Sequence, residues 1–386
     1  MIAAPRNYSP VLRWKAGERG ALASMPSHLA ASLTPIIELT PAAFRDALEH
    51  ADQFRLAMRN AALRIGRTWT GRPFFFDPHL IQASAAHLAI NPAQIFQAEA
   101  NSYALRAAPV LRLAHSQQHV TSIVSGLADG TAVGIRASAA DIGSMIGRAR
   151  LLKLIAETGM PPERMHLFVD LGVIDDDAPP TDLLLGLPYM GRWGAVSVLA
   201  GSFPANLISL EPGIHSLPRL EWRMYRHLLD EWPNDYPAPG FGDFGTQHAE
   251  FHEPQVPCFP SVSVRYARED TWLVLRGSSF KNKDAGGSRQ FIAHARYLAQ
   301  HADFAGASFC AGDRYIEERT HPDATPGNLT TWLEASMSHH MSLTAVNLAR
   351  IATQVPAVVL AREHQRTGAG LRQSGVGDSV PSQTNP

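Results

Sequence analysis

Cysteine is nearly absent. Only Cys258 and Cys310 occur in 386 residues. They form no CxxC pair and no metal-ligand spacing, which argues against a disulfide framework and a Cys-ligated zinc site. Two reduced thiols are the expectation. An excess of either charge is also absent: 34 Lys plus Arg stand against 35 Asp plus Glu, a net charge of −1. A general nucleic-acid binder needs a basic excess to neutralise phosphates, so nucleic acid is not an expected partner. No apolar run approaches the roughly 18 residues of a membrane-spanning helix, so no membrane partner is expected. The opening MIAAPRNYSPVLRWKAGERG has no basic stretch followed by an apolar run. No signal peptide is expected there, and a cytoplasmic location is. GxSxG, HExxH and Walker A patterns are missing as well, which removes the commonest signatures of hydrolases, metalloproteases and P-loop enzymes.

What is present is apolar sequence, 45% of the chain against 18% charged. That excludes a disordered chain and allows a large core. Short apolar runs recur at 9–15, 34–40, 73–77, 109–113, 132–136, 166–170, 195–202 and, less clearly, 241–245. Most are continuous rather than alternating, as strands buried on both faces are. Helical patterns lie between them, over 42–66, 91–108 (capped by Asn91), 141–158 (from Asp141 to Gly159) and 215–231. The mean step between runs is about 33 residues, close to one strand–helix–strand unit. Eight such units predict an α/β fold, a (β/α)8 TIM-barrel-like core. A doubly wound open sheet is the alternative. It would normally carry GxGxxG after an early strand, where this chain has KAGERGAL.

Past the eighth run the pattern changes. Ser261–Tyr266 and Thr271–Arg276 alternate and predict a β-hairpin. Helices follow at about 288–301 and 328–353, the second capped by Asn328 or Thr330, with Trp332 expected to pack it on the barrel. The expected organisation is a barrel over 1–255, a hairpin and helical extension packed on it over 256–365, and a disordered tail over 366–386.

Charged residues stand at the C-terminal end of almost every run: Lys15 with Glu18, Glu38, Asp77 with His79, Arg112, Arg136, Asp170 and Asp243. In a barrel these ends share one mouth, where active sites sit. Glu38, Asp77, Asp170 and Asp243 suit a hard divalent ion such as Mg2+, or acid–base work. Lys15, Arg112 and Arg136 suit an anionic group, and His79 suits proton transfer. Arg276, at the end of the second hairpin strand, joins the candidate ligand-binding residues. Glu18, His339 and His340 join them, although the two histidines are adjacent and adjacent helical residues do not share a face.

The chain resembles the Beta protein family. The resemblance rests on Tyr8-x-Pro10-x-Leu12-x-x-Lys15-x-x-Glu18-x-x-Ala21-Leu22 and on Pro35-Ile36-Ile37-Glu38. It continues through the strand ending at Asp77, FVDLG (168–172), Phe241-Gly242-Asp243-Phe244-Gly245 and Trp332-x(6)-His339-His340. It marks Lys15, Glu18, Glu38, Asp77, Asp243, His339 and His340 as motif positions without assigning them a role. It implies a bacterial or prophage-borne protein of an anti-phage defence cassette. Two expectations follow. One is an enzyme, a hydrolase or lyase, with an anionic small molecule in the mouth. The other is a non-catalytic, antitoxin-like protein that binds a partner encoded by a neighbouring gene through Trp222–Trp232 and the last helix.

Overall fold

A computed structural model describes residues 7–253 and 260–370. Eleven strands are formed there: β1 Val11–Leu12, β2 Ile36–Glu38, β3 Phe74–Asp77, β4 Ala107–Leu111, β5 Val133–Ser138, β6 Met165–Val173, β7 Ala195–Gly201, β8 Gly213–Pro218, β9 Gly240–Gly242, β10 Ser261–Ala267 and β11 Thr271–Ser279. Eight of them form one parallel sheet in the order β1-β2-β3-β4-β5-β6-β7-β9. The first and last then meet. Ser9 N donates to Phe241 O at 2.9 Å and Val11 N to Asp243 O at 2.8 Å, with Tyr8 bridging Phe241 in parallel. The sheet closes on itself, so it has no unpaired edge. This is the expected α/β barrel, and each of the eight apolar runs overlaps one of its strands.

Side-chain parity explains why the runs are continuous. Val11, Ile36, Phe75, Val110, Phe168 and Leu199 fill the barrel interior with Phe244 and Ala249. Their neighbours Leu12, Ile37, Phe76, Leu111, Val169 and Val198 join the larger core under the helices. Successive residues face opposite ways, and both faces are buried. Gly134 lies inside this packing, where an added Cβ would stand 2.9 Å from the Phe75 ring.

Several segments differ from the sequence reading. The helix expected over 42–66 is a 3-10 segment, Pro41–Ala47, followed by an α-helix, Ala51–Thr68, and the one expected over 91–108 ends at Ser102. The helix expected over 141–158 is two, Ala139–Gly143 and Met145–Thr158, because Ser138 and Ser144 each cap a separate start. Gly159 ends the second at φ 63° as anticipated. Residues 213–218 are strand β8, and the helix starts only at Leu220–Glu231. Pro218 disfavours helical backbone at the residue before it. β8 pairs antiparallel with β11, so the expected hairpin is a three-stranded sheet, β10-β11-β8. The extension therefore draws one strand from the connection between β7 and β9. The last helix spans Leu329–Gly370, with Asn328 Oδ1 accepting from Thr330 N and Thr331 N. Residues 366–370 of the expected tail are thus helical, and 371–386 lie outside the described residues.

The last helix joins two cores. Met337, Met341, Ala345 and Leu348 belong to the barrel's outer core. Trp332 belongs to the extension's core, stacked on Phe291 at 5.0 Å, rather than to the barrel. Among the described residues no helix is long and apolar enough to cross a membrane.

Candidate functional site at the barrel mouth

Two residues beyond the inward core layer, the chain places charges instead of apolar groups. Arg13 follows Val11, Glu38 follows Ile36, Asp77 follows Phe75, Arg112 follows Val110, and Asp170 follows Phe168. Arg136 follows Gly134 in the same way. Arg13, Glu38, His79, Arg112, Arg136 and Asp170 line a cavity of about 400 Å3, with Phe244 and Phe251 among the remaining walls. Asp77, 1% exposed, lies behind Arg112 and Arg136.

Arg136 is the hub. Its Nη1 donates to Glu38 Oε1 at 2.7 Å and to Asp77 Oδ2 at 3.2 Å. Its Nε donates to Asp170 Oδ2 at 2.8 Å, and Nη2 lies 2.7 Å from the same oxygen. Arg112 Nη2 donates to Asp77 Oδ2 at 2.6 Å. Arg13 donates to the carbonyls of His248 and Ala249, and its Nε lies 3.8 Å from Glu38 Oε2. Burial works to lower the Arg136 pKa, but Asp170, Glu38 and Asp77 overcome it and raise the net value. Burial likewise works to raise Asp77, while Arg112, His79 and Arg136 hold it well below the usual carboxylate range. Both groups stay charged, although removing an ion from water costs several kcal/mol. Three arginines balance three carboxylates.

The other expected residues lie elsewhere. Trp14 takes φ 51°, which breaks strand alternation, so exposed Lys15 stands outside the cavity lining, with Nζ 5.2 Å from the ring centre of Phe251, one of the cavity's walls. Glu18 is a helix-start group: its Oε2 accepts from Lys15 N at 3.0 Å, and burial raises its pKa. Asp243 follows inward Gly242, so its carboxylate points out of the barrel to the last helix. There Oδ2 lies 2.8 Å from His340 Nε2, and Oδ1 accepts from Tyr8 OH at 2.7 Å. His339 faces the opposite way, with Nδ1 2.9 Å from Asp313 Oδ2 and Nε2 2.9 Å from Ala267 O. Arg276 is in the extension sheet and donates to Leu210 O. None of these six lines the mouth cavity. Trp222 is also unavailable as a contact surface, being 1% exposed and edge-on to Phe241.

The structure adds residues the sequence reading missed. Arg13 was one parity step from Val11 and was legible on that ground. His115 and His119 were not, because they lie in and after a turn. His115 Nδ1 accepts from Arg112 N at 3.2 Å and its ring lies 4.1 Å from that of His119. Burial, then His119, pushes the His115 pKa down to about 4, so the ring beside the arginines is neutral. A second buried cluster joins Cys310, Asp313, His339 and Tyr266 in the extension. Cys310 Sγ donates to Asp313 Oδ2 at 2.9 Å, and burial, then Asp313, pushes the thiol up to about 12. A thiol so far from ionising is no nucleophile at neutral pH.

The opposite end of the barrel holds a cavity of about 780 Å3, lined in part by Asn7, Thr34, Phe75 and His166. Groups at that end of a (β/α)8 barrel serve stability. His166 stacks on Phe168 at 4.1 Å, its Nε2 lies 2.8 Å from Ser197 Oγ, and burial pushes its pKa down to about 3. The unfolded value is near 6.5, so below that pH the unfolded chain takes a proton that the folded chain refuses. Stability is therefore expected to fall from pH 6.5 downward, by about 2 kcal/mol at pH 5 from this group. Urea midpoints at pH 7, 6 and 5 check this. His166→Gln should flatten the slope, and an unchanged slope in that variant defeats the assignment.

The family model described as Beta protein matches residues 8–345. No curated protein and no solved structure matches the chain.

Proposed function

This chain belongs to the Beta protein family, and on that premise we propose that its barrel mouth binds a small anionic molecule bearing phosphate or carboxylate. On this reading the protein acts on that molecule as a hydrolase or lyase. The observation that carries it is the convergence of Arg13, Arg112 and Arg136 with their counter-ions on one cavity. The exposures set the preferred charge of the ligand. Arg112 and His79 present 26% and 29% of their side chains, whereas Glu38 and Asp77 present 2% and 1%. An incoming molecule thus meets the Arg112 guanidinium before the carboxylates of Glu38 and Asp77, which lie behind it. Arg offers bidentate geometry to phosphate or carboxylate. Asp170, the most exposed of the three carboxylates at 16%, is the one placed to exchange a proton with it. Cytoplasmic service in a prophage defence cassette fits a protein that destroys or senses a small anion.

Thermal shift in EDTA against nucleotides, sugar phosphates, carboxylates and inorganic phosphate tests the reading. A ligand at 100 times its Kd should stabilise the protein by about 2.7 kcal/mol. Arg112→Gln should weaken that ligand at least tenfold. If no compound stabilises the protein, or the variant responds equally, the anion site is wrong.

A further inference from the structure

We propose that Glu38 Oε1, Asp77 Oδ1 and His79 Nδ1 form a site for one borderline divalent ion, Mn2+, Fe2+ or Zn2+, with its open positions facing the mouth cavity. The three residues each bring a ligand atom within 4.8 Å of the others. His79 Nδ1 lies 3.2 Å from Asp77 Oδ1 and 3.4 Å from Glu38 Oε1. Nitrogen and oxygen ligands on a shared ion, at bond lengths of roughly 2.0–2.2 Å, stand roughly 3.0–3.6 Å apart. The observed separations fall in that range.

An independent observation points the same way. His79 Nδ1 is a buried atom that makes no hydrogen bond, although two carboxylate oxygens are so near. Neither oxygen is in line with it, and one ion between them would give Nδ1 a partner. The arginines hold mainly the other carboxylate positions. Asp77 gives Oδ2 to Arg112 Nη2 and Arg136 Nη1, while Oδ1, the oxygen nearest His79 Nδ1, accepts from His79 N at 3.2 Å and from Arg112 Nε at a long 3.4 Å. Glu38 Oε1 accepts from Arg136 Nη1 and retains a second lone pair. Outer groups that fix ligating carboxylates in this way are the usual support of a metal centre. Asp170 is engaged by Arg136 and by Gly172 N, which separates it from this set.

One imidazole with two carboxylates favours a borderline ion over Mg2+, which prefers an all-oxygen shell. Three protein ligands and an open side are the arrangement of a catalytic rather than a structural centre. The surrounding charges already cancel, so a divalent ion brings an excess of two. An anion on the cavity side would remove it. Metal and anion should therefore bind with positive coupling, and that part alone rests on the anion-site reading.

Isothermal titration of EDTA-stripped protein with MnCl2 and with ZnCl2, without phosphate, tests the site. One ion per chain is expected, with affinity at least tenfold weaker in His79→Ala. His79 is partly exposed in the first turn of its helix, so the variant should melt near wild type, and His79→Asp should recover part of the affinity. His248, Glu250 and His252 form a second, more exposed group able to hold an ion. His252→Ala should leave the titration unchanged. No binding, unaltered binding in His79→Ala, or loss in His252→Ala instead overturns the proposal. Millimolar inorganic phosphate should tighten Mn2+ at least fivefold. Unchanged affinity in phosphate, with His79→Ala still defective, upholds the metal site and overturns the coupling.

Discussion

Arg136→Ala is expected to lower stability by about 3–5 kcal/mol, the range for removing one partner of a buried ion pair. In a chain of this size that corresponds to a fall of about 5 °C in Tm. The loss is large because one guanidinium serves Glu38, Asp77 and Asp170 together. Without it, three carboxylates at the mouth face only Arg112 and the more distant Arg13. Arg136→Met, which keeps most of the stem, should lose nearly as much, because the missing quantity is charge. The sign of the pH dependence follows. The orphaned carboxylates are easier to protonate, so the gap between variant and wild type should narrow as pH falls from 7 to 4. Thermal melts of both variants across that range check the prediction. A variant that melts within two degrees of wild type at pH 7 would falsify the view that the network is a coupled, buried unit.

His340→Ala is expected to cost a comparable amount, again about 3–5 kcal/mol. His340 is fully buried, lies 2.8 Å from Asp243 and stacks on Trp272 at 4.9 Å. Burial works to raise the Asp243 pKa, while His340 and the Tyr8 hydrogen bond overcome it and leave the group below its ordinary value. Truncating the histidine leaves a buried carboxylate with Tyr8 OH and Gly245 N as donors. A double-mutant cycle with Asp243→Asn, read by urea unfolding at pH 7, should give a coupling of about 1–3 kcal/mol. Additive losses would mean that the two residues act separately. A depressed carboxylate contributes stability above its unfolded pKa, near 3.8, and loses it as pH falls through the folded value. The Asp243 contribution should thus survive at pH 5, where the His166 contribution is already declining.

The barrel was legible because its signal is physical and repeated. A strand buried on both faces must read as an apolar run, and eight such runs at one spacing leave few architectures. The mouth was legible in part for the same reason: Glu38, Asp77, Arg112, Arg136 and Asp170 all stand at or near the end of runs whose parity the core dictates. Parity was also where the sequence reading ended. Asp243 sits one residue out of phase with its inward neighbours, and a single step turns a side chain from the cavity to the outer helices. Lys15 is displaced by the left-handed backbone of Trp14, which no periodicity announces. The histidine pair faces two ways, as adjacent helical residues must, and neither ring lines the mouth cavity where ligand-binding residues were expected. Its partners, Asp243 and Asp313, are distant in sequence and became visible only when the chain was folded. β8 was mistaken for helix because its alternation is short and its pairing partner, β11, comes some 60 residues later, as loop closure permits but sequence does not advertise.

The seam between β1 and β9 carries a consequence for how the protein is made. Asp243 is synthesised 235 residues after Tyr8, and His340 follows 97 residues after that. The three meet in one buried contact. A nascent chain can pair β1 with β2 early, but β1 finds β9 only after residue 240 has been made. The histidine clasp over that seam waits for the last helix. A chain cut short before residue 329 would keep all eight staves of the barrel and lose the His340 clasp over its seam.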